Sequence, residues 1–370
     1  MKLRTIPLVL LLITCADSAI GQDSAKSSLN RIWDKVSLYE NAEGNILQKL
    51  VFTGRIQVDA ANFKDSAAGS LNDFNWRRFR AGFKASVFHG LTLHSEADLN
   101  LEDSKPLYNR LTDTYLSWSS TNGLKFKVGK QSAPFTLDGS TSSRKLYAME
   151  RSKVAGNLWF FKEYFSGATL SGKRDQWEYI AGLYSSDGGP EFDQAFDAGK
   201  FALFSVSYNF KEQFELDNAL IRLDYVNNEE DVDNATSKNK NVTSLVAKFD
   251  HGQRHLWADI SLSEGYGGQS DLQGIQFMPF YDITDKTQAV FRYTRLKSPD
   301  GNGIKLSKYE KSLVSRKGNR AAEYYFGINH YFNGHKLKWQ NGIQYTEMKA
   351  SGSGGSYDGW GLTSGLRISW

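Results

Sequence analysis

From Leu50 onward, apolar and polar side chains alternate with a period of two, the spacing that sends successive side chains of a β-strand to opposite faces. In residues 50–60, Leu50, Phe52, Ile56 and Val58 share one face, while Thr53, Arg55, Gln57 and Asp59 share the other. Residues 77–88 repeat the pattern, with Phe79, Ala81, Phe83, Ala85 and Val87 set against Arg78, Arg80, Lys84 and Ser86. In 91–101, Leu91, Leu93, Ala97, Leu99 and Leu101 oppose Thr92, His94, Glu96, Asp98 and Asn100. Similar runs lie near 112–119, 124–130, 162–171, 176–185, 200–210, 219–226, 242–250, 255–263, 273–281, 287–296, 322–332, 336–347 and 359–370. They total about sixteen alternating segments, an even number of about ten residues each, as in a transmembrane β-barrel.

The connections carry the same message. Short turns are expected at His89-Gly90, 120–123, 172–175, 251–254 and 333–335. Longer loops are expected near 61–75, 102–111, 131–161, 186–199, 227–241, 264–272, 297–321 and 348–358. Short and long alternate, as in barrels with tight periplasmic turns and extended external loops. Ahead of the first segment, 22–49 is a polar lead-in, expected to be periplasmic. Ile32, Val36, Leu38 and Tyr39 suggest a short amphipathic turn or two before Gly44.

Composition sharpens this picture. The chain has 370 residues, of which 14% are aromatic, yet its mean hydropathy is −0.49, so its apolar residues are dispersed among polar ones. No later run approaches the length of a membrane-spanning helix, which leaves strands as the way across a bilayer. Residues 1–21 have the form of a secretory signal: Lys2 and Arg4, an apolar stretch from Ile6 to Ile13, then Ala19-Ile20-Gly21. Cys15, the one cysteine, lies inside it, so a chain cut at Gly21 has neither disulfides nor thiolate metal sites. A lipoprotein site at 12–15 is a weaker reading, because Thr14 stands where a small Gly or Ala is expected. The net charge of +4 is too small to point to nucleic acid. An outer-membrane location and a lipid bilayer partner follow from the leader and the barrel together.

With apolar faces toward lipid, the other face is a lumen carrying Arg55, Arg78, Arg80, Lys84, Lys125, Lys127, Arg222, Lys248, Arg292, Lys338 and Arg367. Asp59, Glu96, Asp98, Glu178, Asp224 and Asp259 are also expected to point inward. The basic groups cluster early, and rings of Arg and Lys are how anion pores select. Pro134 ends the strand near 124–130, and an aperiodic stretch follows that is too long for an ordinary connection. It carries Ser140, Thr141, Ser142 and Ser143, then Arg144, Lys145, Arg151 and Lys153, pairing hydroxyls with fixed positive charge. This third loop is expected to fold into the lumen, with Ser142, Ser143 and Arg144 near Arg55, Arg78 and Arg80. His94, Glu96 and Asp98 share a face, but two-residue steps along a strand are about 7 Å, too wide for a compact metal set. No serine, histidine and carboxylate converge, so no catalytic residue, metal or cofactor is expected; a barrel enzyme is the minor alternative.

The stretches FTGRIQVD, RRFRAGFK, VGKQSAPFTLDGSTSSRKLYAMER, EYYFGINHYFNG and GLRISW resemble the phosphate-selective porin O and P family, over about Leu50 to Trp370. The resemblance implies a sixteen-stranded, trimeric, anion-preferring porin whose constriction binds small, phosphate-like anions. Carried over position by position, it places Arg55, Arg77, Arg78, Ser142 and Ser143 at phosphate-contacting places; alternation favours Arg78 over Arg77 as the inward residue. Arg80 and Arg144 join the candidate site from their own positions. Two departures weaken the case for strict phosphate selection: Gly139 replaces the family's constriction lysine, and 219–228 offers only Arg222 where an arginine ladder is expected. A general porin without a binding site is the alternative.

Overall fold

The computed structural model describes residues 33–101, 105–160, 163–193 and 195–370. The expected leader, 1–21, lies outside these residues. Val36–Trp370 make one compact unit. A short strand, β1 (Ser37–Glu40), precedes the long ones. These are β2 (Leu47–Asp65), β3 (Gly69–Val87), β4 (Leu91–Leu99), β5 (Tyr108–Ser119), β6 (Leu124–Ser132), β7 (Tyr164–Arg174), β8 (Trp177–Ser185) and β9 (Lys200–Asn209). The second half continues with β10 (Asn218–Asn228), β11 (Asn239–His251), β12 (Arg254–Gly265), β13 (Leu272–Thr284), β14 (Thr287–Lys297), β15 (Arg320–Asn333), β16 (Leu337–Lys349) and β17 (Tyr357–Ser369). Each of β2–β17 pairs antiparallel with its sequence neighbour, and β17 pairs with β2, so sixteen strands close into a barrel with no free edge.

The wall is inverted relative to a soluble protein. Phe83, Leu116, Phe126, Leu170, Phe204, Leu223, Ile260, Phe277, Phe326 and Leu362 are exposed on its outside. Arg55, Asp59, Arg80, Glu96, Asp224, Asp259, Gln276, Arg292, Glu323 and Gln340 are buried on its inside. Apolar side chains facing lipid and polar ones facing the lumen are what the alternation requires.

Two expectations need correcting. Residues 61–75 are not a long loop: β2 and β3 continue to Asp65 and Gly69 and close on three residues. Above the level of the lipid the alternation changes sense, with Ala61 and Phe63 buried inside while Lys64 is exposed, so a rule tuned to lipid-facing strands loses it. Of the lead-in's expected amphipathic turn, Ile32 lies outside the described residues, and Leu38 and Tyr39 belong instead to the strand Ser37–Glu40, paired with β2 at Lys49, Leu50 and Val51. β2 starts at Leu47 and outruns its neighbour: β17 pairs with it only as far as Arg55, and β1 takes up the backbone groups beyond. The connection 297–321 is long, as expected, and carries structure of its own. Within that connection, Ile304, Leu306, Tyr309 and Glu310 are buried, and a helix (Lys308–Leu313) packs against β2 and β3.

Candidate functional site

The candidate residues come together where the early strands meet the β6–β7 connection. Alternation along β2 turns Arg55, Gln57 and Asp59 inward, and all three are buried. On β3, Gln57 lies opposite Arg78 and Val58 opposite Trp76, so Arg77 is the extra residue of a β-bulge. A bulge leaves one residue unpaired and re-aims its side chain. Arg77 and Arg78 therefore both serve the inner face, against the preference for Arg78 alone. Arg77 reaches Glu150 and, at 3.5 Å, Asp59, while Arg78 donates to Gln57 Oε1 at 2.9 Å and lies 3.4 Å from Glu163.

The residues 133–160 hydrogen-bond to inner-face side chains right around the barrel. Asp224 of β10 accepts from Thr136 N at 2.9 Å, and Asp259 of β12 accepts from Leu137 N at 2.8 Å. Tyr325 of β15 accepts from Met149 N at 3.2 Å, and Lys338 of β16 donates to the Leu146 carbonyl at 2.5 Å. On the opposite side, Arg55 of β2 donates to Ser143 Oγ at 2.6 Å, and Gln57 donates to the Ser143 carbonyl at 3.2 Å. The second half of the stretch is apolar: Val154, Leu158 and Phe160 pack with Phe165, Phe201, Val242, Leu272 and Leu296. These apolar contacts run along β7, β9, β11, β13 and β14, whereas the densest group of charged residues lies along β2–β5.

Among the described residues, eight guanidiniums there share five carboxylates. Glu96 takes Arg55 at 2.9 Å, Arg144 at 3.0 Å and Arg80 at 3.7 Å; Asp98 takes Arg80 at 3.1 Å and Arg110 at 3.6 Å. Asp59 takes Arg367 at 2.5 Å. Glu163 takes Arg151 at 3.1 Å and Arg78 at 3.4 Å. Burial alone would raise the Glu163 carboxyl, but Arg151, Arg78, Arg80 and Arg110 outweigh it and hold it far below the usual carboxylate range. Glu96 and Asp98, which share a strand face with His94, are thus turned toward arginines.

Every candidate from the sequence lies in this region. Ser143 is buried against Arg55, Arg144 bridges Glu96 and the Trp370 carbonyl, and Ser142 is exposed. The reasoning from sequence missed Arg110, Arg151, Glu150, Glu163 and Arg367 as partners. Glu150 and Glu163 sit in aperiodic chain where no pattern assigns a direction; Arg367 was placed inward by alternation, but its tie to Asp59 depends on which strands close the barrel. The two departures also have structural expression. A Cβ on Gly139 would lie 2.5 Å from the Trp159 ring and 2.7 Å from Thr136 Oγ1, so the position has no room for a lysine. Arg222 is spent on the loop, donating to the Thr136 carbonyl and Ser140 Oγ, both at 2.9 Å.

A closed antiparallel barrel of sixteen strands with turns at one end and loops at the other defines an outer-membrane porin, and solved porins share it. The OmpF porin of Salmonella typhi, solved with daunomycin, superposes with a TM-score of 0.63 at 12% identity, over 90% of this chain and 100% of that one. An anion-selective porin from Comamonas acidovorans gives 0.60 at 12% identity, over 87% and 99%. The outer-membrane OmpT of Vibrio cholerae gives 0.56 at 15% identity, over 87% and 98%. At such identities the likeness is one of fold. The sequence model of the family described as phosphate-selective porin O and P matches residues 51–244, more than half of the chain, and the chain belongs to that family. No curated protein matches it.

Proposed function

We propose that this porin passes small anions by diffusion, through a constriction formed where 139–151 faces Arg55, Arg77, Arg78 and Arg80. The observation that carries this reading is the excess, among the described residues, of eight guanidiniums over five carboxylates at that place. An anion meets net positive charge, with Ser142 and Ser143 hydroxyls beside it. The carboxylates keep the well shallow, and a conducting pore must release its ion as readily as it takes it. The closed position at Gly139 and the engagement of Arg222 with the loop favour a general anion preference over strict selection of phosphate. Family membership and the trimeric form recorded for Vibrio cholerae OmpT support a homotrimer, which crosslinking in native membranes would test. Chloride conductance in planar bilayers, titrated with phosphate, tests the reading. Anion preference with block only at high phosphate is expected, and tight block would instead indicate a phosphate-specific channel.

A further inference from the structure

A second basic cluster lies on the other side of the wall, outside the barrel. Alternation along β14, β15 and β16 sends Arg295, Lys297, Arg320 and Lys349 outward, and all four are exposed. The register sets Lys297 opposite Arg320 and Arg320 opposite Lys349, so three cations stand side by side on adjacent strands. Directly opposed residues have Cβ atoms about 5 Å apart, and like charges so placed are destabilising. Two other exposed lysines toward the loop ends of the strands are matched within the protein: Lys200 with Glu229 at 3.4 Å, and Lys240 with Glu230 at 2.9 Å and Glu264 at 3.5 Å. Here Lys349 meets Glu347 at 2.9 Å, whereas Arg295, Lys297 and Arg320 have no carboxylate within ion-pair distance among the described residues.

What lies beneath the cluster identifies the missing anion. Tyr293, Tyr324, Tyr345 and Trp360 stand directly opposite one another on β14–β17, with ring centroids 5.0 Å apart in both the Tyr293–Tyr324 and the Tyr345–Trp360 pairs. Outward aromatic rows mark the membrane–water interface of a barrel. Two residues further toward the turns comes an exposed apolar row of Phe291, Phe326, Ile343 and Leu362. Base, aromatic and hydrocarbon are therefore stacked in the order of a lipid's phosphate, interface and chain.

We propose that the outer face of β14–β16 is a docking surface for phosphorylated lipid headgroups of the external leaflet. Arg295 and Arg320 offer planar forks that match phosphate oxygens, and Lys297 adds a point charge. A dissolved phosphate would be screened at so exposed a site. A lipid phosphate is held there by its own chains against Phe291 and Phe326.

The test uses the refolded full-length barrel in detergent, with bis-phosphorylated lipid A and its dephosphorylated form as probes, and retained lipid counted by native mass spectrometry. The wild type is expected to prefer the phosphorylated lipid. The triple variant Arg295→Gln, Lys297→Gln, Arg320→Gln is expected to bind it roughly a hundredfold more weakly, at about a fivefold loss per base. Its heat-modifiable mobility and channel conductance should stay as in wild type, and millimolar inorganic phosphate should not displace the lipid. Equal retention of both lipids by the wild type overturns the proposal, and that comparison stands even if the triple variant fails to fold. Undiminished binding by a folded triple variant, or displacement by inorganic phosphate, overturns it as well.

Discussion

Arg55 and Arg78 show how one residue can hold both the architecture and the proposed selectivity. Arg55 ties β2 to Ser143 while neutralising Glu96, and Arg78 ties β3 to Gln57 and Glu163. Replacing both with Ala leaves Glu96 and Glu163 with fewer cations, so the chloride-to-potassium permeability ratio is expected to fall several-fold, measured in a salt gradient. An unchanged ratio would place selection elsewhere. Lys308 supplies a pH signature. Its amine donates to Asn75 Oδ1 at 2.6 Å and lies 4.9 Å from the centre of the Tyr309 ring; partial desolvation, then the Arg77 charge, brings its pKa down to about 8. The group is charged at pH 7 and mostly neutral by pH 9, so anion preference should decline over that interval. Lys308→Arg should abolish the decline, because a guanidinium stays protonated throughout. A pH-independent wild type would remove Lys308 from the permeation path.

Among the elements, the two inward-packed connections are coupled. Lys153, at the start of the helix Lys153–Leu158, lies 2.5 Å from Glu310 of the helix Lys308–Leu313 and 3.2 Å from Glu323 of β15. Burial would lower the Lys153 amine, but Glu310 and Glu323 reverse this and raise it. Lys153→Met leaves the buried Glu310 without a cation while Glu323 keeps Arg292 at 2.8 Å, and breaking a buried pair from one side costs about 3–5 kcal/mol in comparable cases. The expected outcome is a lower temperature for the heat-modifiable gel shift, with protease cleavage appearing between 298 and 319. In the wild type, protease should cut 186–199 and 229–238 and spare 304–310; prompt cutting there would contradict the packing. This coupling was half legible. Ser307 and Glu310 form a capping box, with Ser307 N donating to Glu310 Oε2 at 3.2 Å, and the Ser-x-x-Glu spacing is visible in the sequence. Its burial was not, because Ile304, Leu306 and Tyr309 are dispersed among lysines and glycines and meet their partners only across the lumen. The strands were far more legible, since lipid imposes one rule on every outward residue of Phe83, Leu116 or Phe277 type. The rule fails where lipid ends, at Ala61 and Phe63, and where a bulge interrupts the count, at Arg77.

For the molecule as a whole, the closure of β17 on β2 is the seam on which the barrel depends. Trp370 exchanges backbone hydrogen bonds with Gly54, at 3.2 Å and 3.1 Å, and its ring packs 5.9 Å from Phe52 over a position where any Cβ would collide with it. Trp370→Ser should lower the yield of heat-modifiable barrel on refolding, and an undiminished yield would show that the seam closes without the ring. The candidate arginines were legible because alternation pointed at Arg55, Arg78 and Arg80, and the family resemblance at Arg55, Arg77 and Arg78. Their neutralisation was not, because Glu96 reaches Arg55 only through barrel geometry and Glu163 lies outside any period. The pore's sign of selectivity therefore rests on the balance between the two sets. The most direct test is the zero-current potential of the wild-type channel in a tenfold potassium chloride gradient. A potential whose sign gives chloride the greater permeability is what the excess of guanidiniums predicts, and a potential favouring potassium would contradict the account.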